Sequence, residues 1–267
     1  MIDNKYVADA IEYILEHIWD NVTLEEVAAH CNMSVSYFSK IFKKQTGQSV
    51  YAFIKKVKME QSAIKLKMET DRSITEIGED YGYSASNYSW AFSRYHSKSP
   101  SEFRNDVQSE QETVQKIIDR INSVIRIEEK PDYQVVYERT IGDYVNLEKQ
   151  WCDFIEHNSW DIDSDTIFFE RTFDDPTITE KSQCIYDICM TTKHIEQYEN
   201  SCILQGGKFL VYPFKGYIKE IYPLHQELVG IWFPANHYQI DDRYSYDQYH
   251  KVEEDGYMEF DICIPIR

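Results

Sequence analysis

Two stretches of the chain, residues 23–53 and 73–103, distribute apolar and polar residues in the same helical pattern. In each stretch, apolar positions three and four residues apart form one face of a short helix, and a second such face follows. These positions are Leu24, Val27, Ala28, Phe38, Ile41 and Phe42 in the first stretch and Ile74, Ile77, Gly78, Tyr88, Ala91 and Phe92 in the second. Each stretch therefore predicts two short helices joined by a turn.

The two stretches also form an internal repeat with a shift of 50 residues and no gap. The identical pairs are Glu26 and Glu76, Ser34 and Ser84, Ser36 and Ser86, Ser39 and Ser89, Phe42 and Phe92, Ser49 and Ser99, and Phe53 and Phe103. Thr23 and Ser73 are suitable N-caps, with a glutamate three residues on as a capping box, and Ser34 and Ser84 can cap the second helices. Helix, tight turn and polar-faced helix are the plan of the helix-turn-helix. Residues 1–107 thus predict an all-α DNA-binding domain with two such units, joined by a Lys-rich helix from about Ser49 to Glu69. A helical bundle with an accidental repeat is the alternative.

Residues 131–267 change to β-rich runs with two helical stretches between them. The runs are 133–140, 165–173, 183–191, 208–214, 243–250 and 257–266, and the helical stretches are about 143–158 and 216–233. A weaker repeat matches Val136-Tyr137 and Gly142 with Val211-Tyr212 and Gly216. The pattern predicts an α+β domain in which a strand-helix-strand-strand unit occurs twice, with a groove between the units where small ligands often bind.

Residues 108–130 predict a helical connector that ends before Pro131. Its apolar stripe consists of Val114, Ile117, Ile118, Ile121, Val124 and Ile125. The stripe is barely two heptads long, whereas coiled coils usually need three or four. We therefore expect this helix to be a docking strut between the domains and not a dimerising coil.

The net charge of -18 argues against nucleic-acid binding until its distribution is considered. Residues 1–107 hold 13 Lys and Arg against 15 Asp and Glu, while residues 108–267 hold 15 against 31. Within residues 34–67, eight lysines are opposed only by Glu60. This segment is either a strip that faces DNA phosphates or a solvated helical face, and the helix-turn-helix repeat favours the strip.

The sequence contains no recognisable arrangement for catalysis or metal binding. The six cysteines include no C-x-x-C pair, the eight histidines have no metal-ligand spacing, and there is no Gly-rich phosphate loop. No run of apolar residues is long enough for a membrane span, and the first residues do not resemble a secretion signal. We expect a cytoplasmic protein with reduced cysteines, without metal, cofactor, membrane partner or enzymatic activity.

The amino-terminal half resembles the AraC/XylS regulators. The resemblance is carried by Thr23 to Ala28, Met33 to Lys44 and Thr46-Gly47 in the first copy, and by Ile74 to Ile77, Gly82-Tyr83, Ala91-Phe92 and Ser99 to Arg104 in the second. The second copy departs from the family with Gly78 in place of Ala and Ser97 in place of Gly. The resemblance implies that Ser36, Ser39, Lys40, Asn87 and Trp90 face DNA bases. Lys43 and Lys44 of the basic segment are expected to meet phosphates, and Arg94 is a further expected DNA-binding residue. Trp90 stands where a basic residue is common, so it either packs on thymine methyl groups or lies in the core of the domain.

Residues 131–267 resemble the GyrI-like effector-binding domains that accompany several multidrug-responsive regulators. The matching residues are Tyr137, Gly142, Tyr144, Tyr186-Asp187, Gly206-Gly207, Trp232, Pro234, Asp247, Tyr249 and Ile264-Pro265-Ile266. In this family a carboxylate among aromatic rings suits lipophilic cations. Here Asp247, one methylene shorter than the usual Glu, takes that position, and the resemblance implies that Tyr249, Tyr144, Tyr186 and Trp232 surround it. For each ring alone, ordinary core packing is the alternative.

The leading hypothesis is a transcription regulator that binds double-stranded DNA as a single chain and responds to a small, lipophilic cationic effector. RNA polymerase is its expected protein partner. Two alternatives concern the second domain, which could be a small-molecule hydrolase or a protein-docking module without a ligand.

Overall fold

The computed structural model describes residues 2, 4–105, 111–144, 147–175 and 178–267, and the chain divides into two compact units, Met1–Asp106 and Val107–Arg267. The predicted domain boundary at residue 107 falls outside the described residues. The helices of the first unit are α1 Lys5–Glu16, α2 Leu24–His30, α3 Val35–Thr46, α4 Val50–Met68, α5 Ile74–Asp80, α6 Ala85–His96 and α7 Pro100–Arg104. The predicted all-α fold with two helix-turn-helix copies, α2–α3 and α5–α6, is confirmed.

The predicted capping residues begin most of these helices. Thr23 and Glu26 form a capping box at α2, because Thr23 Oγ1 accepts from the Glu26 N–H (3.2 Å) and the Thr23 N–H donates to Glu26 Oε2 (2.8 Å). Ser73 and Glu76 form the same box at α5. Ser34 caps α3 with its hydroxyl, whereas Ser84 precedes α6 without a side-chain hydrogen bond to the helix.

Gly78 leaves room for a tyrosine in the core of the second helix-turn-helix, where the first copy has a phenylalanine. A Cβ at Gly78 would lie 2.7 Å from Cγ of Tyr88, the buried residue that occupies the position of Phe38 in the first copy. Real Cβ atoms do not approach other carbons this closely. The departure from the family Ala is therefore explained by the ring of Tyr88.

The central helix α4 uses its lysines in a way that the sequence did not reveal. Lys58 is buried, and its ammonium donates to the backbone oxygens of Asp20 (3.0 Å) and Tyr81 (2.9 Å). Lys56 and Lys65 are also buried, the former beside Glu60 (3.2 Å) and the latter 3.9 Å from the ring centre of Trp19. Lys58 and Lys65 tie α4 to neighbouring segments and Lys56 pairs within α4, so the proposed phosphate-facing strip was wrong as a continuous feature.

The second unit is an eight-stranded antiparallel sheet with helices. Its strands are β1 Arg126–Lys130, β2 Tyr133–Ile141, β3 Phe168–Thr172, β4 Ile185–Thr191, β5 Ser201–Leu204, β6 Gly207–Tyr217, β7 Tyr246–Val252 and β8 Tyr257–Pro265, in the order β1-β6-β8-β7-β3-β4-β2-β5. Its helices are α8 Gln111–Asn122, α9 Leu147–His157, α10 Ile218–Glu227 and α11 Phe233–Asn236, with a π-helical turn Leu228–Trp232 between the last two.

The strand order confirms the predicted duplication. The unit β2-α9-β3-β4 contributes the strand order β3-β4-β2, and the unit β6-α10-β7-β8 contributes the mirrored order β6-β8-β7. The two units meet where β3 pairs with β7. Corresponding strands of the two units therefore lie side by side at the centre of the sheet.

Two strands were not predicted, and one of them shortens the expected connector. The helix α8 ends at Asn122, and residues 126–130 form β1, which pairs with β6 from Arg126–Val211 to Lys130–Gly207. The segment RIEEK contains a single apolar residue, so no alternation marks it as a strand. Pairing with the edge of β6, a tertiary interaction, decides its conformation.

One face of the sheet is a closed core. Val135, Phe169, Cys189, Val211 and Cys263 are fully buried on it. On the same face Asp187 accepts from Nε of Arg139 (2.8 Å) and of Arg171 (2.9 Å), and all three side chains are inaccessible to solvent. The opposite face is covered in part by α9, whose Phe154 packs with Val136, Ile188 and Met190. The candidate groove described below lies on this second face.

Candidate DNA-binding surface and ligand groove

The first recognition helix, α3, exposes the residues that the resemblance assigns to DNA. Phe38 and Phe42 are buried on its inner side, whereas Ser36 and Lys40 are exposed and Ser39 is half-buried. Lys43 and Lys44 are exposed in the last turn. The helix therefore presents hydroxyl and ammonium groups that can donate hydrogen bonds to bases and phosphates.

The second recognition helix, α6, exposes Asn87, Trp90 and Arg94 on the side opposite to the buried Tyr88 and Phe92. Trp90 is 61% exposed, so the alternative that it lies in the core is excluded. Its ring is flanked by the Arg94 guanidinium at 5.3 Å and the Lys55 ammonium at 5.8 Å. These contacts give the apolar ring a cationic rim, a composition that suits an approach to the DNA backbone.

The centre of the groove is a pair of carboxyl groups on adjacent strands. Glu170 of β3 lies directly opposite Asp247 of β7, the strand pair at which the two structural repeats meet. Directly opposite residues of an antiparallel pair project from the same face of the sheet. The hydroxyl of Tyr249 donates to Glu170 Oε2 (3.1 Å). Two acids therefore share one site, although the sequence suggested only Asp247.

Burial changes the acidity of this pair. It raises the pKa of Glu170 to about 7, and the hydrogen bond from Tyr249 opposes part of that rise. Burial and the nearby charge of Glu170 raise the pKa of Asp247 well above its usual range. The Asp247 side chain is nevertheless partly accessible to solvent. The pair thus lies deep among protein atoms but can be reached from outside, which is the environment of a recessed binding site.

Aromatic rings surround the two acids. Tyr144 and Tyr186 stack with ring centres 4.4 Å apart, and the Tyr186 hydroxyl donates to Gln150 of α9 (2.7 Å). On the other side Trp151 of α9 meets Tyr249 edge to face at 5.6 Å. From α10, Tyr222 has a pKa raised by burial and also by nearby acids that include Asp143 and Glu170. The groove, defined here by Glu170, Asp247, Tyr144, Tyr186, Tyr222, Tyr249 and Trp151, thus combines acid with apolar ring area.

Trp232 has a different position from the other aromatic residues expected at the groove. Its side chain is only 2% exposed, stacks on Tyr238 at 5.6 Å and donates from Nε1 to Oδ1 of Asn122 in α8 (2.8 Å). Arg120 of α8 also pairs with Glu227 at the end of α10. The structure brings Asp247, Tyr249, Tyr144 and Tyr186 together around Glu170, and it places Trp232 where it fastens α8 to the π-helical turn.

Glu170, Trp151 and Tyr222 were not singled out from the sequence. A signal for Glu170 existed, since β3 and β7 are corresponding strands of the two repeats and each carries an acid among aromatic residues, in FFERT and YDQYH. No such signal marked Trp151 or Tyr222, because a helical aromatic residue has the same pattern whether it faces a core or a groove.

Among the residues that the structure describes, no group of His, Cys, Asp and Glu side chains is arranged to bind a metal ion. In the same part of the chain, no helix combines the length and the apolar character needed to cross a bilayer.

Two exposed recognition helices joined to a domain with an acidic, aromatic groove define a class of protein, the ligand-responsive DNA-binding regulators. Comparison with known families agrees with this class. Residues 123–267 match the model of the GyrI-like small molecule binding domain, and residues 27–106 match a helix-turn-helix domain.

Individual relatives match the amino-terminal part. The regulatory protein SoxS of Escherichia coli K12 is 30% identical over 106 residues, which are 39% of this chain and 98% of SoxS. The Msm operon regulatory protein of Streptococcus mutans is 35% identical over 39% of this chain, which spans only 37% of that protein. The structure of the C-terminal domain of AraT, a response regulator from Geobacillus stearothermophilus, is 32% identical with a TM-score of 0.37 and covers 40% of this chain and 88% of that domain.

The matched carboxy-terminal region is more than half of the chain, so the protein belongs to the GyrI-like family. It is an AraC-type DNA-binding transcription regulator with a GyrI-like small-molecule-binding domain.

Proposed function

We propose that this regulator binds DNA as a single chain through α3 and α6 and that a small lipophilic cation in the groove modulates its activity. The observation that carries the ligand class is the pair Glu170 and Asp247, enclosed by tyrosine and tryptophan rings. Rings supply apolar area and negative π-faces, and a desolvated acid supplies the opposite charge. The same arrangement would offer little to an anionic ligand.

The test compares two probes of nearly the same shape on the full-length protein. Methyltriphenylphosphonium is a permanent lipophilic cation, and triphenylphosphine oxide keeps its three rings without the charge. Calorimetric titration should give tighter binding of the cation by about tenfold or more, since a desolvated charge contact contributes about 1–3 kcal/mol. Equal affinities would exclude charge recognition, and no binding of either probe would favour a protein-docking role for the second unit.

A second candidate function, hydrolysis of a small molecule, is favoured by one feature. Glu170 has a pKa of about 7 and accepts a hydrogen bond from a phenol, which is the range in which a carboxyl group can act as general acid or base. Saturable binding with unchanged probes supports the regulator. Product formation that is lost in Glu170→Gln would support the enzyme.

We also propose a cytoplasmic location and RNA polymerase as the protein partner, because a transcription regulator acts where DNA is transcribed. In a gel-shift experiment, polymerase should bind regulator–DNA complexes more tightly than DNA alone. Independent binding of the two proteins would contradict the partnership.

A further inference from the structure

The two acids of the groove occupy equivalent places in the two structural repeats. Glu170 lies on β3 and Asp247 on β7, the corresponding strands of the repeats, and each is the other's direct cross-strand neighbour. Side chains in such a pair have Cβ atoms about 5 Å apart. The two carboxyl groups are therefore close enough to act on the same ligand charge and on each other.

No basic group of the described residues neutralises this pair. Glu170 and Asp247 form no ion pair with a lysine, arginine or histidine there, and the hydrogen bond to Glu170 comes from the neutral phenol of Tyr249. The other titratable groups that feel the charge of Glu170 are Tyr144, Tyr186 of β4 and Tyr222 of α10, and on the far side of the sheet Cys263 of β8 feels that of Asp247. Burial raises the pKa of each of these groups, so all of them are neutral at pH 8 or below.

Building on the function proposed above, we propose that Glu170 and Asp247 act as one acid pair that shares a proton, so that the pair carries a single negative charge when the groove is empty and takes organic monocations. Two ionised carboxylates in a desolvated site without a cation would repel each other, and retention of one proton removes that repulsion. The charge that recognises the ligand belongs to the pair and not to either residue.

This arrangement gives monocation binding a defined pH dependence. Because the first proton leaves the pair with a pKa of about 7, the pair is a monoanion above that pH and is fully protonated well below it. A permanent cation must then displace a proton to the solvent. Its affinity should fall about 30-fold from pH 8 to pH 5.5, whereas the neutral probe should bind equally at both values.

The pair also predicts that the two acids can replace each other. In Asp247→Asn the remaining Glu170 carries the charge, and in Glu170→Gln the remaining Asp247 does so. At pH 8 each single variant should bind methyltriphenylphosphonium less than about fivefold more weakly than the wild type, and the double variant should lose about 30-fold. Triphenylphosphine oxide should lose little in any variant, since the rings that hold it are unchanged.

The experiment is a titration of the full-length wild type, both single variants and the double variant with the two probes at pH 8 and pH 5.5. A loss in Asp247→Asn as large as that of the double variant, with none in Glu170→Gln, would overturn the shared charge and assign recognition to Asp247. The reverse result would assign it to Glu170. Circular dichroism of each variant reports whether it is folded.

A second measurement needs no ligand and therefore separates failure of this inference from failure of the proposed function. Carbon-detected NMR of labelled Glu and Asp carboxyl groups follows the pair directly as the pH is changed. In the wild type the Glu170 and Asp247 signals should both follow two titration steps, the first near pH 7, whereas in Asp247→Asn the Glu170 signal should follow a single step, because no second proton remains on the site. A Glu170 signal that follows one and the same step in the wild type and in Asp247→Asn would overturn the pair even if neither probe binds, and two steps in the wild type that become one in the variant would support it.

Discussion

At the scale of single residues, Glu170 is an acid whose burial costs stability at neutral pH. Its pKa rises to about 7 in the folded protein from an ordinary value of 4.5, so the folded state holds the proton more strongly than the unfolded chain. The ionisation of Glu170 therefore does not change the free energy of unfolding below about pH 4.5 and lowers it as the pH rises towards 7. Above that, the cost is constant.

Glu170→Gln should remove this cost while keeping the acceptor for Tyr249. We expect the free energy of unfolding at pH 8 to rise by up to about 3 kcal/mol, and the difference from wild type to disappear near pH 4.5. Urea denaturation of the full-length protein from pH 4.5 to 8 measures it. Glu148→Gln, on an exposed position of α9, is the matched control and should show no such trend. A gain for Glu170→Gln that does not depend on pH would refute the electrostatic explanation.

Ser97 also lowers the stability of the protein, in this case through its backbone conformation. It is the C-cap of α6 with φ of 59°, the left-handed conformation that Gly47 adopts at the end of α3 with φ of 77°. A side chain in this region costs roughly 1 kcal/mol relative to glycine. Ser97→Gly should therefore stabilise the protein by about 0.5–1 kcal/mol in thermal unfolding, whereas Ser97→Ala should not. Destabilisation by glycine would show that a contact of the Ser97 side chain contributes more stability than its left-handed backbone costs.

At the scale of elements, lysines of α3 and α4 that look alike in sequence have different roles. Lys43 and Lys44 extend from the exposed end of α3, while Lys58 of α4 is buried and hydrogen-bonded to two backbone oxygens. Only the first two can reach phosphates without unfolding the domain. The difference follows from the faces that the two helices bury.

Lys43→Ala and Lys44→Ala should each weaken binding to all DNA sequences alike. Each variant loses one phosphate contact, so the slope of log affinity against log salt concentration should decrease by about one. Fluorescence anisotropy at several salt concentrations measures both effects. Lys149→Ala, at an exposed lysine of α9, is the matched control and should bind DNA like the wild type. Unchanged slopes in the two α3 variants would exclude this docking of α3.

The helix α8 was predicted from the sequence, but the residues that it contacts were not. Its apolar stripe indicated a docking strut between the domains, and the structure shows it bound within the second unit through Asn122 and Trp232 and through Arg120 and Glu227. The partner was not evident, because Trp232 looked like a residue of the groove. Trp232 instead belongs to the π-helical turn, and its indole N–H joins this turn to Asn122 of α8.

At the scale of the whole molecule, the proposed single-chain mode of binding predicts that no dimer is needed on DNA. The repeat places α3 and α6 in equivalent copies 50 residues apart. A monomer should protect one non-palindromic site with two contacts about one helical turn, roughly 10 bp, apart. Hydroxyl-radical footprinting together with sedimentation of the complex measures spacing and stoichiometry. An inverted repeat bound by two chains would contradict the single-chain mode.

The sequence determined the elements whose signals are local. The capping boxes at Thr23 and Ser73, the shared pattern of the two helix-turn-helix copies and six of the eight strands follow from residues near each other in the chain. Asp247 was recognised through the resemblance to the GyrI-like domains, in which an acid occupies the matching strand position.

Only the tertiary structure decided what depends on pairing between distant segments. It made RIEEK a strand by giving it β6 as a neighbour, buried Lys58 against Asp20 and Tyr81, and placed Glu170 opposite Asp247. Strand register and the choice of buried face depend on contacts across the fold, and local sequence does not encode them. For this reason the sequence indicated one acid in the groove, and the pairing of β3 with β7 supplied the second.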